Sequence, residues 1–265
     1  MLNDKEKAEL LQRLINIELK VNAIAGYRPP STGGSHSYAG HPDQAFGPTT
    51  FSQFGEDLIV ANIFSLLGVS TPSYLDVGAH HPLHVSNTAL LYSRGSRGIN
   101  VEANPDLIDS FRELRPEDIT LNIGVGPISG RLEFYRIDAF SGRNTFNKKV
   151  AEAFVLEHPQ FAISDILQVD VLPLDEIVRI HNKGIYPQFL SIDVEGLDFE
   201  VLRAANFALS KPIVICVEAI SGADSDDSLR LLNLLRKRDY ELYTRTIGNL
   251  ILVDAAHAQQ LGLCA

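Results

Sequence analysis

The chain has 265 residues, 45% of them hydrophobic and 21% charged, an ordinary globular composition with apolar material for a core that needs no staples. Its 23 Lys and Arg against 33 Asp and Glu leave a formal charge of −10. This argues against a general nucleic-acid or anionic-membrane binder, because phosphate contacts need clustered cations. Cys216 and Cys264 form no metal-ligand spacing, so a reducing, cytoplasmic setting is expected. Met1–Leu10 is charged, so no secretory leader is expected there, and no apolar run approaches the ~20 residues of a membrane span.

Residues 1–25 read as a helix. Leu10, Leu14, Ile17, Val21 and Ile24 are spaced 4, 3, 4, 3, a seam of the coiled-coil kind. It serves either self-association into a homo-oligomer or packing on its own domain. Residues 26–50 are crowded with Pro29, Pro30, Gly33, Gly34, Gly40, Pro42, Gly47 and Pro48 and read as a linker or, given Tyr27, His36, Tyr38, His41 and Phe46, a lid. Residues 51–265 carry a regular α/β alternation. In chain order they predict helix 54–67, strand 74–77, helix 86–92, strand 98–102, helix 106–114, strand 119–123, strand 130–137, and a helix through Phe154 and Leu156. Helix 175–181, strand 189–193, helix 198–205, strand 213–218 and helix 228–238 follow, and strands 241–246 and 249–253 close the chain as a hairpin about Ile247-Gly248. The expected fold is α/β, a Rossmann-like, mostly parallel, doubly wound sheet with a C-terminal antiparallel hairpin.

In open α/β sheets, ligands sit beyond the carboxyl ends of the strands. Here those ends read Asp76-Val77-Gly78, Val101-Glu102-Ala103-Asn104, Asn122-Ile123-Gly124, Ile192-Asp193-Val194-Glu195-Gly196 and Val217-Glu218. Carboxylates in such places are costly unless paired, solvated or used. Gly78 lets the backbone turn sharply or approach a ligand. Glu102, downstream, is placed to accept hydrogen bonds from two ribose hydroxyls, as acids do in both dinucleotide and adenosylmethionine sites. A pyrophosphate site wants further glycines, and Gly78 is followed instead by Ala79-His80-His81-Pro82. That disfavours the alternative of a nicotinamide-dependent oxidoreductase.

These residues, with Gln53-Phe54-Gly55-Glu56-Asp57, Ser86-Asn87-Thr88, Gly98-Ile99-Asn100-Val101-Glu102 and Asn144-Thr145-Phe146, resemble the motifs of FkbM-type methyltransferases, in the same order over about Phe51 to Asp254. His80-His81-Pro82 departs from the pattern, where many members have Asn and a further Gly. The resemblance implies a class I S-adenosylmethionine-dependent fold acting on a hydroxyl of a sugar, glycosylated or natural-product acceptor. It further implies that Asp76, Gly78 and Ala79 line the methionine end of the cofactor, that Glu102 with Asn104 beside it holds the ribose, that Asn122 and Ile123 flank the adenine, and that Gln53 and Asp57 close over the methionyl group.

Removing a proton from a weakly acidic hydroxyl calls for a base, a metal, or both. Asp193, Glu195 and Glu218 come from neighbouring strand ends and suit a hard divalent ion such as Mg²⁺, or act as ordinary hydrogen-bonding groups. Among His80, His81 and His84, adjacent side chains diverge, so at most one of the first two faces a substrate; His81 is paired with Asp193 as the expected catalytic set. Asn144 and Thr145 are expected at the acceptor, or as caps of the helix that follows. The non-enzymatic alternative is a cofactor-binding assembly module that uses the N-terminal helix.

Overall fold

The computed structural model describes residues 50–138, 141–219 and 226–263. The helix expected over 1–25 and the linker over 26–50, Thr50 apart, lie outside them, as does Cys264. Residues from Phe51 onward form one compact unit, built on a seven-stranded sheet of order β3-β2-β1-β7-β8-β10-β9. Its strands are β1 (Tyr74–Val77), β2 (Gly98–Val101), β3 (Ile119–Leu121), β7 (Phe189–Ile192), β8 (Val214–Glu218), β9 (Tyr240–Arg245) and β10 (Asn249–Asp254). The first five run parallel, and β10 and β9 add the expected antiparallel hairpin.

The four central strands are short and apolar because both faces of the sheet are covered. In β1 and β7 every residue is buried. Leu75, Val77, Leu190, Ile192, Ile215 and Val217 belong to the main core. The helices between them are α1 (Glu56–Leu66), α2 (Ala89–Ser93), α3 (Pro105–Leu114), α5 (Leu174–His181), α6 (Asp198–Ala204) and α7 (Asp226–Arg236), and α8 (Ala255–Gln260) closes the chain. Helix α3 starts where Asn104 accepts from the Asp106 N–H and Pro105 takes the first turn.

A second sheet of order β4-β6-β5 was not foreseen as a unit. It joins β4 (Gly124–Val125), the expected β5 (Gly130–Arg136) and β6 (Asp165–Leu172), with β5 and β6 antiparallel. Gly124 has no room for a side chain, since a Cβ there would meet the Phe146 ring and Val171. The helix expected through Phe154 is α4 (Lys148–Glu157), capped by Asn147, whose Oδ1 accepts from the N–H groups of Lys149 and Val150.

Candidate functional site

Sheet register builds the site. Val77 stands beside Val101 on one side and Ile192 on the other, and Ile192 beside Val217. The next residue of each strand is therefore Gly78, Glu102, Asp193 or Glu218, so three acids flank one glycine along the carboxyl edge of the parallel strands. Asp193 N–H donates to the Val77 carbonyl at 2.9 Å, and Gly78 and Ala79 both donate to Val101. Gly78 has φ of 74°, and a Cβ on it would run into the Asp193 carbonyl oxygen. Only glycine lets β1 and β7 end this close together.

Beyond this edge lies a cavity of about 290 Å³. Gln53, Gly78, His80, Glu102, Asn104, Ile123, Asn144, Thr145, Asp193, Glu195 and Glu218 all line it. Glu102 is buried, accepting from His80 N–H at 2.8 Å and Asn104 N–H at 2.7 Å. Burial pushes its carboxyl up to about 7, against the pull of those two donors. Asn122 Nδ2 donates to the carbonyls of Glu102 and Ala103, fixing the chain that carries the acid.

On the other side of Gly78, one oxygen from each of Asp193, Glu195 and Glu218 lies within 4.8 Å of the others. The turn that brings Glu195 in is held by Asp198, whose carboxylate accepts from Val194 and Gly196 N–H. Glu195 itself takes φ of 49°, and Thr145 Oγ1 donates to its carbonyl at 2.9 Å. Burial, then mutual repulsion, pushes the carboxyls of Glu195 and Glu218 upward, and burial raises Asp193 as well. Arg143 is the only Lys or Arg among the described residues lining the cavity, and it reaches Glu195 at 3.4 Å.

Residues 76–242 match the family described as Methyltransferase FkbM domain. The chain belongs to the FkbM methyltransferase family. Similar solved structures include a methyltransferase FkbM from Methylobacillus flagellatus, 16% identical with a TM-score of 0.44. That match covers 69% of this chain and 44% of that one, so this chain spans less than half the length of that relative. A TehB-like SAM-dependent methyltransferase from Corynebacterium glutamicum is 12% identical, with a TM-score of 0.39 and coverage of 80% and 92%. A precorrin-6y C5,15-methyltransferase from Geobacter metallireducens is 15% identical, with a TM-score of 0.36 and coverage of 79% and 94%. No curated protein matches the chain significantly. The FkbM family implies S-adenosylmethionine as methyl donor, and among the described residues no helix is long and apolar enough to cross a membrane.

For this FkbM chain, several residues expected at the cavity are placed elsewhere. His81 Nδ1 accepts from the N–H groups of Leu83 and His84 at 3.0 and 3.1 Å, so that the ring caps its own turn, and His80 is the histidine that lines the cavity. Side chains alternate along a strand, so Asp76 points to the sheet face, where it accepts from Thr88 Oγ1 at 2.5 Å. Asp57 accepts from Phe51 N–H, Ser52 Oγ and Leu58 N–H, tying down the entry segment. Ala79 and Asn122 are not among the lining residues. Asn144 lines the cavity yet uses its amide within its own loop, accepting from Ile137 N–H and donating to the Asp138 carbonyl. Arg143 and Phe134 also wall the cavity; the first lies in the polar stretch that carries Asn144 and Thr145, and the second reads in the sequence as an ordinary strand residue.

Proposed function

We infer that the protein is an S-adenosylmethionine-dependent O-methyltransferase that acts on a hydroxyl of a sugar, or of a glycosylated or natural-product acceptor. The observation that carries this reading is one cavity with Glu102 on one side of Gly78 and the Asp193–Glu195–Glu218 cluster on the other. The residues fit the donor the family implies. Each Glu102 oxygen already takes one backbone N–H and keeps a lone pair for a ribose hydroxyl, and Leu107, Ile123 and Phe134 give the cavity apolar wall for a base. Gln53 and Asn104 line the same cavity.

Bound adenosylmethionine would supply an electrophilic methyl group on a sulfonium. The chain's own contribution is to place a hydroxyl oxygen in line with that methyl, which is worth several kcal/mol as avoided entropy loss. The carboxylate cluster takes up the hydroxyl proton, Asp193 being the residue nearest the β1 edge. Thr145, held against the Glu195 turn, stands beside the acceptor. The nicotinamide alternative finds no support, because His80 and Pro82 occupy the turn where a pyrophosphate would need glycine. The buried, free thiol of Cys216 fits a reducing, cytoplasmic setting.

Calorimetric titration of S-adenosylhomocysteine and of NAD, followed by a methyl-transfer assay on glycan and metabolite panels, tests the reading. We expect S-adenosylhomocysteine to bind and NAD not to. Glu102→Ala should weaken binding roughly 100-fold, two charge-assisted hydrogen bonds at about 1.5 kcal/mol each. Unchanged affinity in that variant refutes the ribose role, and binding without turnover on any acceptor favours the assembly module.

A further inference from the structure

We propose that Asp193, Glu195 and Glu218 form a binding site for one hard divalent cation. The three carboxylates come from the ends of adjacent strands, β7 and β8, and from the turn after β7, and they offer oxygens within 4.8 Å of one another. At that separation two unit negative charges repel by about 3 kcal/mol even at an effective dielectric of 20. A fourth acid, Asp198, adds to the repulsion, and among the described residues lining the cavity Arg143 is the one Lys or Arg, at a long 3.4 Å from Glu195.

A second observation points to a ligand. Asp193 Oδ1 and Glu218 Oε2 are both sealed from solvent and have no hydrogen-bond donor, yet both residues face the cavity. A buried acceptor left unpaired costs of order 1–3 kcal/mol, more when charged. Among the described residues the Val194 and Gly196 N–H groups go to Asp198 and Thr145 Oγ1 to the Glu195 carbonyl; Asp193 has the Glu195 N–H, and it faces Glu218 closely enough for the two to share a proton, whose place a cation would take. A cation satisfies both at once and relieves the repulsion.

The donor set is all oxygen and anionic, with no His or Cys in the cluster. That selects Mg²⁺, Mn²⁺ or Ca²⁺ over softer metals. Three side chains leave further coordination positions open toward the cavity. The use of the site rests on the reading given under Proposed function: a cation held there would polarise an acceptor oxygen, and the hydroxyl proton would pass to a carboxylate oxygen of the cluster that the ion leaves unengaged.

The test uses the full chain, stripped with a chelator and titrated with Mn²⁺ alone, bound ion being read by electron paramagnetic resonance and by thermal shift. One Mn²⁺ per chain is expected, displaced by Mg²⁺, with a rise in melting temperature. Asp193→Asn/Glu218→Gln removes the buried repulsion without changing shape, so it should fold, bind S-adenosylhomocysteine like the parent, and lose Mn²⁺. Failure of the parent to bind Mn²⁺ at millimolar concentration overturns the site, as does binding that survives in the double variant. S-adenosylhomocysteine binding on the same samples keeps the two ideas apart: its loss in the parent sinks the methyltransferase reading and leaves the cation site standing.

Discussion

At the scale of the residue, Glu102 is the acid whose charge state matters most for cofactor capture. Burial lifts it from an ordinary 4.5 to about 7, so near neutral pH the free site holds a mixture of acid and carboxylate. Ribose hydroxyls need the carboxylate as acceptor. Binding therefore draws the equilibrium toward the ionised form, and affinity for S-adenosylhomocysteine should fall about tenfold from pH 8 to pH 6. The same shift bears on stability with the opposite sense. Between 4.5 and 7 the folded chain holds a proton the unfolded chain has released, so the folded state loses ground as pH rises through this window. Glu102→Gln, whose Nε2 cannot accept the backbone N–H that one carboxylate oxygen now holds, should bind S-adenosylhomocysteine weakly at every pH and lose the pH dependence of the parent. An affinity profile that is flat in the parent would show that the ligand does not touch this carboxylate. His81 teaches a different lesson at the same scale. It stands next to His80 in sequence, and only the loop's path, with His80 at φ of 51°, sends one ring to the cavity and the other to the backbone of its own turn.

At the scale of the element, the site is the product of register. Because β1, β2, β7 and β8 end level, their next residues form a row, and Gly78 is the narrow point of that row. Gly78→Ala adds two costs, the left-handed backbone at about 1–2 kcal/mol and a collision with the Asp193 carbonyl that must part β1 from β7. Gly184 separates these, since it has a similar φ of 78° and nothing within 4 Å of a would-be Cβ. Gly184→Ala should cost about 1 kcal/mol in urea melts and leave S-adenosylhomocysteine affinity alone; Gly78→Ala should cost well beyond that and abolish binding. Equal costs would mean that the close approach does not matter. The parallel core was legible because short apolar runs ended in acids, a pattern set by local chemistry. The second sheet was not: β6 shows the alternation Leu167, Val169, Val171 against Gln168 and Asp170, a strand signal in itself, but its pairing with both β4 and β5 is settled only by contacts distant in sequence. Asp76 is expected at the cofactor on the family resemblance alone, and its place in β1 turns it to the sheet face, where it accepts from Thr88 Oγ1.

At the scale of the whole molecule, acidity is treated in two ways on the two sides of the β1 strand end. The cavity row keeps its carboxylates close and largely uncompensated, whereas two residues earlier Asp76, Asn100, Ser191 and Cys216 form a second row, on the sheet face, whose charge is neutralised inside the protein. Arg115 does this. Fully buried, it pairs with Asp118 at 2.8 Å and donates to Tyr74 Oη and Thr88 Oγ1, while Thr88 donates on to Asp76. Asp118 also takes Gly98 N–H and Asn100 Nδ2, locking the edges of β1 and β2 together. In the sequence Arg115-Pro116-Glu117-Asp118 looks like a solvated turn, and nothing local announces that its first and last residues are buried. Removing one partner of a buried, hydrogen-bonded pair strands the other, at about 3–5 kcal/mol. Arg115→Met should accordingly lower the melting temperature by roughly 10 °C, at about 2–4 °C per kcal/mol for a domain of this size. Asp118→Asn should be costly as well, and Arg115→Met/Asp118→Asn should cost clearly less than the two single losses added, because no unpaired charge is left between those two positions. Strict additivity in such a cycle would mean that Arg115 and Asp118 do not neutralise one another, and that the sheet face tolerates its buried acids by some other route.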